Sequence, residues 1–191
     1  NAVKHTFNRI SVDGDTSVCD SVIIMANKMS DTQVKSGTDE FEAFQKSLSL
    51  LCEDLARMVV ADGEGATKLI EVSVINTKTE SDAYLAVRNI CLSPLVKTAL
   101  YGADANWGRI MTALGYSGAQ FNPNDVDICI GNILVCKKGS AVKFNEELAK
   151  EYLSKKEIGI EVNLNAGSYS DRMWTCDFSH DFVTINGSYR S

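Results

Sequence analysis

The sequence predicts an α/β chain of the α+β kind, a mixed β-sheet with packed helices, forming a single unit over residues 1–191. Three observations predict it. Segments with apolar residues three and four apart are interleaved with segments whose apolar residues alternate. A two-residue Gly131-Asn132 turn between apolar runs signals a hairpin, which a doubly wound parallel sheet does not use. Only two prolines and 13 dispersed glycines leave no linker, repeat or low-complexity tract at which the chain could be divided.

The clearest helix runs from about Thr38 to Asp62. Phe41, Phe44, Leu48, Leu51, Leu55, Met58 and Val59 recur at helical steps, Asp39 and Glu40 suit the first turn, and Gly63 follows the end. Leu69 to Ile75 reads as a strand. Thr79, followed three residues later by Asp82, opens a second helix carrying Ala83, Ala86, Val87 and Ile90. Ser93-Pro94 has the form of an N-cap with proline at the first helical position, and a further short helix carries Trp107, Ile110, Met111 and Leu114 before Gly115. Val126 to Ile130 and Ile133 to Cys136 form the hairpin. An amphipathic helix follows from about Asn145 to Lys155, and Ile158, Ile160, Val162 and Leu164 alternate as a strand with one buried face. Met173 to Ile185, rich in aromatic and β-branched residues, is expected to be strand.

A net charge of -6, with no more than two adjacent basic residues, argues against sequence-independent binding to nucleic acid or an anionic membrane. No apolar run approaches the length of a membrane span, and the first residues lack a secretory h-region, so a soluble intracellular chain is expected. The six cysteines contain no CxxC pair, and Cys52, Cys91, Cys129 and Cys136 sit in apolar patterns, as buried thiols do in a reducing compartment. The two histidines, His5 and His180, lie at opposite ends of the chain, which argues against a zinc site; no metal is expected. A chain beginning with Asn is expected to be a processed product or part of something longer.

Four segments could carry chemistry. Asp13-Gly14-Asp15-Thr16-Ser17, with Asp20, gathers carboxylates and hydroxyls without completing a calcium-loop pattern, and closing turns is its expected role. Glu64 stands between Gly63 and Gly65 where the long helix meets the next strand. Two readings of it stand side by side: a carboxylate that a ligand can approach closely, or a helix C-cap with a solvated side chain. No phosphate-loop spacing is present. Asp104-Ala105-Asn106-Trp107-Gly108-Arg109 reads mainly as a capped helix start. Cys176, Ser179 and His180 offer a nucleophile and a base, but on a strand Ser179 and His180 point to opposite faces and Cys176 lies about 13 Å from His180. No complete catalytic set is visible.

These segments in this order have the look of one family. Phe7-Asn8-Arg9-Ile10-Ser11-Val12-Asp13-Gly14-Asp15-Thr16-Ser17, Ala61-Asp62-Gly63-Glu64-Gly65-Ala66-Thr67-Lys68-Leu69-Ile70-Glu71-Val72 and Ser93-Pro94-Leu95-Val96-Lys97-Thr98-Ala99 carry the likeness. Asn106-Trp107-Gly108-Arg109, Gly115-Tyr116-Ser117-Gly118 and the tail from Trp174 to Ser191 extend it. The chain resembles the C-terminal β subunit of ornithine acetyltransferase (glutamate N-acetyltransferase, the ArgJ family), from Phe7 to its last residue. It departs from the family pattern at Val18-Cys19, Ala105, Thr175 and His180.

The resemblance implies a DmpA/ArgJ-like fold and a ping-pong acetyl transfer in arginine biosynthesis, from N2-acetyl-L-ornithine to L-glutamate. It implies a precursor that cleaves itself into α and β chains, paired as an (αβ)2 heterotetramer, with no cofactor. The implied nucleophile is the N-terminal threonine of β, which lies upstream of Asn1, so no catalytic residue is expected within this sequence. Substrate-binding roles carry over to Glu64, Asn186 and Ser191. Two alternatives remain: a bifunctional enzyme that also takes acetyl from acetyl-CoA, and a non-catalytic amino-acid-binding subunit of the same fold. The expected compartment is the cytoplasm, or alternatively the mitochondrial matrix.

Overall fold

A computed structural model describes residues 1–188. The chain enters through two short 3-10 turns into β1 (Ile10–Ser11), and α1 (Asp39–Ala61) begins after a long irregular stretch. Thr38 caps α1, its hydroxyl accepting from the Phe41 amide, as the first-turn acids anticipate. Then come β2 (Leu69–Thr77), α2 (Glu80–Leu92), α3 (Pro94–Tyr101) and α4 (Trp107–Gly115), the first two of these helices capped by Thr79 and Ser93 as expected and the third by Asn106. The second half contributes β3 (Asp127–Ile130), β4 (Ile133–Lys137), β5 (Ser140–Ala141), α5 (Glu146–Leu153), β6 (Glu157–Asn163), β7 (Tyr169–Cys176) and α6 (His180–Ser188).

The strands form one mixed sheet in the order β1-β7-β2-β6-β3-β4-β5. β1 runs parallel to β7 and β2 parallel to β6, while the β7/β2, β6/β3, β3/β4 and β4/β5 neighbours are antiparallel. The β3–β4 hairpin turns at Gly131, whose φ is +56°, as the Gly-Asn dipeptide requires. Alternation along the strands separates the two faces. Ile70, Val72 and Val74 of β2, with Ile158, Ile160 and Val162 of β6, pack against Ala86, Val87 and Ile90 of α2 and Ile110, Ala113 and Leu114 of α4. On the opposite face α1 seals a smaller cluster of Val60, Leu69, Trp174 and Cys176.

Three expectations are corrected. The last segment does not continue as strand to Ile185: β7 ends at Cys176 and α6 starts at His180. The Asp177 carboxylate accepts from the Thr67 and Lys68 amides and the Ser179 hydroxyl accepts from the Phe182 amide, so tertiary partners and a helix cap override β propensity. Among the thiols, Cys129 is only half-buried, whereas Cys176 is buried. The apolar stripe that marks α1 in the sequence does not face the sheet. Cys52, Ala56 and Val60 do, while Phe44, Leu51, Leu55, Met58 and Val59 are exposed.

The stretch from 12 to 38 forms no helix or strand. Its turns are closed by side chains: Asp13 accepts from the Asp15 amide at 2.8 Å, and Ser17 from the amides of Cys19 and Asp20. The acidic loop therefore has the turn-closing role expected of it. Beyond it Val22, Ile23, Ile24 and Met25 are all exposed.

Candidate functional site

At the end of the sheet where β1 and β7 run out and β2 begins, four segments meet: the loop after β1, the turn after α1, the side of α3, and the tail leading into α6. Glu64 occupies the tip of the second. Its side chain is exposed, and the turn around it is held from both sides.

Gly65 is the first restraint. It has φ +69°, and a Cβ there would lie 2.4 Å from the Phe182 amide nitrogen, so only glycine lets this turn approach α6 so closely. The Ser179 hydroxyl donates to the Gly65 carbonyl at 2.5 Å while accepting from Phe182, tying the turn to the first residues of the helix. Asp177 is the second restraint. It is 1% exposed and accepts from the Thr67 amide (2.8 Å), the Thr67 hydroxyl (2.5 Å) and the Lys68 amide (3.0 Å). On the other side the Val12 side chain packs on Gly63, where a Cβ would meet it at 2.8 Å.

Asn186 lies one helical turn beyond Phe182 and donates to its carbonyl at 2.9 Å. The Glu64 turn is thus packed against the helix that carries Asn186. Ser191 lies outside the described residues. The segment 104–109 caps α4, with Asn106 accepting from the Arg109 amide, and takes no part in this cluster.

The residues proposed for nucleophilic work are otherwise engaged. Ser179 serves the turn and the helix cap. His180 lies edge-on to Tyr101, with ring centroids 5.6 Å apart. Burial pushes the Cys176 thiol up from its ordinary range, against the pull of Lys97, so it stays protonated at neutral pH.

Reading the sequence did not single out Lys97, Asp177 or Thr67. Lys97 is 1% exposed, and its ammonium donates to the Val12 carbonyl, to the Thr175 hydroxyl (3.0 Å) and to the Cys176 thiol (3.7 Å), with the Phe178 ring centroid 4.2 Å away. Burial lowers its pKa from the ordinary lysine range; the thiols of Cys176 and Cys91 and the Asp13 carboxylate oppose that. The available signal was a lysine set between Val96 and Leu100 on the apolar side of α3. Among the described residues, no three His, Cys, Asp or Glu side chains converge to hold a metal ion, and no helix is long and apolar enough to cross a membrane.

Fold and site together define a mixed-sheet α/β chain whose candidate ligand-binding residues stand on loops and a terminal helix at one end of the sheet. The ArgJ family model matches residues 1–191, and the chain belongs to that family. It is 53% identical to the arginine biosynthesis bifunctional protein ArgJ of Caldanaerobacter subterraneus subsp. tengcongensis, covering 100% of this chain and 49% of that protein. It is 45% identical to arginine biosynthesis bifunctional protein ArgJ 1 of Clostridium acetobutylicum, over 100% of this chain and 48% of the relative. The chain therefore spans about half the length of these curated relatives. A crystal structure of the arginine biosynthesis bifunctional protein argJ from Bacillus halodurans superimposes with a TM-score of 0.94 at 45% identity, covering 98% of this chain and 89% of the crystallised one.

Proposed function

We propose that this chain is the β subunit of a glutamate N-acetyltransferase that moves acetyl from N2-acetyl-L-ornithine to L-glutamate through an acetyl-threonine intermediate in arginine biosynthesis, in the cytoplasm. The observation that carries the reading is Glu64: an exposed carboxylate at the tip of a turn fixed by Asp177, Ser179 and Val12, in a member of the ArgJ family. A rigid turn with an exposed carboxylate suits an ammonium, and each substrate amino acid presents one at some stage of the transfer. Asn186 and Ser191 complete the binding set in this reading.

The nucleophile of this reading is an N-terminal threonine upstream of Asn1. Its own α-amino group, with a pKa near 8, takes the hydroxyl proton as the hydroxyl attacks the acetamide carbonyl. The α-ammonium so formed returns that proton to the departing ornithine nitrogen as the C–N bond breaks; the neutral amine of glutamate then attacks the acetyl ester, and the proton it loses passes through the α-amine to the threonine oxygen, restoring the hydroxyl as the C–O bond breaks.

The partner in this reading is the α chain of the same precursor, in an (αβ)2 assembly. Length supports it: this chain covers 89% of the crystallised relative but only 49% and 48% of two full-length relatives. Surface supports it as well. Leu55, Met58 and Val59 of α1, with Phe7, Val22 and Ile23, line an open groove of about 710 Å³ that also reaches Ala61 and Asp62. A chain seated there reaches Asp62, two residues before Glu64, and covers exposed apolar residues.

Denaturing mass spectrometry of the two-chain protein, before and after brief exposure to N-acetylornithine without glutamate, tests the reaction. A β chain beginning in Thr that gains one acetyl group is the expected result; no mass gain on either chain excludes the threonine mechanism. Glu64→Ala should lower kcat/KM about 10- to 100-fold, the loss expected for one charge-assisted bond, with an unchanged melting temperature because the side chain is exposed. Wild-type kinetics would falsify the site assignment. A second reading, that acetyl-CoA is also a donor, is favoured by the word bifunctional in the relatives' names, and assaying each donor separately decides it.

A further inference from the structure

Lys97 is placed where burial of a cation is costly. Among the described residues its ammonium contacts a carbonyl, a hydroxyl, a thiol and an aromatic ring, all neutral, so the cost of removing it from water is offset by no ion pair in contact, only by the Asp13 carboxylate further off. Methionine would fill a similar volume without that cost. What an ammonium supplies and methionine does not is three directed N–H groups, and all three are used.

Those bonds join the segments that frame Glu64. One holds the Val12 carbonyl, and the Val12 side chain is the wedge against Gly63, the residue before Glu64. Two hold Thr175 and Cys176 at the end of β7, immediately before the Asp177 that accepts from Thr67 and Lys68. The Lys97 main-chain carbonyl also accepts from the Phe178 amide, and Phe178 stacks on Phe182 of α6 at 4.3 Å, one turn before Asn186. A single residue thus reaches the loop after β1, the end of β7 and the approach to α6.

We infer that Lys97 is a positioning residue of the acetyl-transfer site, setting through Val12 the height of the Gly63-Glu64-Gly65 turn. It touches no substrate; it acts through Glu64. The inference rests on the acetyl-transfer reading for its kinetic consequence, and on geometry alone for its effect on the turn.

The test uses the complete two-chain enzyme carrying Lys97→Met, Glu64→Ala, or both. In Lys97→Met the KM of the amino acid held by Glu64 should rise about tenfold, and the double variant should be no worse in KM than Glu64→Ala, because both act on one contact. A lysine with a purely structural role lowers the melting temperature and the active fraction but leaves KM unchanged, and that result overturns the inference, as does an additive double variant. If Lys97→Met does not fold, Val12→Ala withdraws the wedge while leaving the ammonium in place, and the same KM rise is expected; wild-type KM overturns the inference. Hydrogen exchange gives a readout independent of turnover. The Ala66 amide, bonded to the Gly63 carbonyl at 2.9 Å, should exchange faster in Lys97→Met or Val12→Ala than in wild type. Faster exchange in an enzyme whose wild type transfers no acetyl keeps the positioning role and removes the reaction. Unchanged exchange alongside normal wild-type transfer does the reverse.

Discussion

Gly65 concentrates two demands in one residue. It adopts a left-handed φ of +69°, and its α-carbon stands so near Phe182 that a methyl group would lie 2.4 Å from that residue's amide nitrogen. Alanine must therefore meet both a backbone penalty and a collision with the start of α6. Gly65→Ala should cost about 2 to 4 kcal/mol in denaturant titration. Because the substitution pushes the Glu64 turn away from the helix carrying Asn186, substrate affinity should fall further than in a surface variant of equal stability. Glu64 and its two glycines were legible in the sequence as a pair of readings. The residues fixing its turn, Asp177 and Ser179, were not legible, because they lie more than 100 positions away in sequence. Nothing in local spacing reports such a partner.

At the scale of elements, caps and periodicity translate directly into structure. Thr79 and Asp82 form a reciprocal cap on α2: the Thr79 hydroxyl accepts from the Asp82 amide and donates to its carboxylate, which also accepts from the Gln120 amide at 2.8 Å. The Thr79 hydroxyl first, then the Gln120 amide, hold the Asp82 carboxyl below its ordinary range. A depressed folded-state pKa gives stability that is complete above the unfolded value, near pH 4, and is lost as pH falls through the folded value. Asp82→Asn should therefore lose about 1 kcal/mol at neutral pH and lose less than wild type on acidification, as urea titrations between pH 7 and pH 2.5 would show.

Helix α1 gives the complementary lesson. Its strongest apolar stripe establishes that a helix forms, yet the residues covered by the sheet are the small ones, Cys52, Ala56 and Val60. Periodicity does not say which of two apolar faces meets this chain's own core. Leu55→Glu and Met58→Glu, both at exposed positions, should leave the fold intact while weakening association with the proposed α chain by more than about 100-fold, measurable by co-purification and by titration of the separated chains. Undiminished association would move the partner to another face.

For the molecule as a whole, the alternating strands, the capped helices and the Gly131 hairpin identified a mixed sheet with packed helices, and the resemblance identified the family. Each of those signals is local: a dihedral preference, a cap, a period of 2 or 3.6, or a run of matching residues. The strand order was not local, because β7 lies between β1 and β2 although most of the chain separates it from β1. The terminal helix was not legible either, since its start depends on Asp177 and Ser179 finding partners beside β2. Lys97 shows the same division most sharply. The sequence by itself determined that a helix starts at Ser93-Pro94; only the tertiary structure brought Val12, Thr175 and Cys176 around the Lys97 ammonium, because hydrogen bonds between segments far apart in the chain exist only once the sheet has assembled.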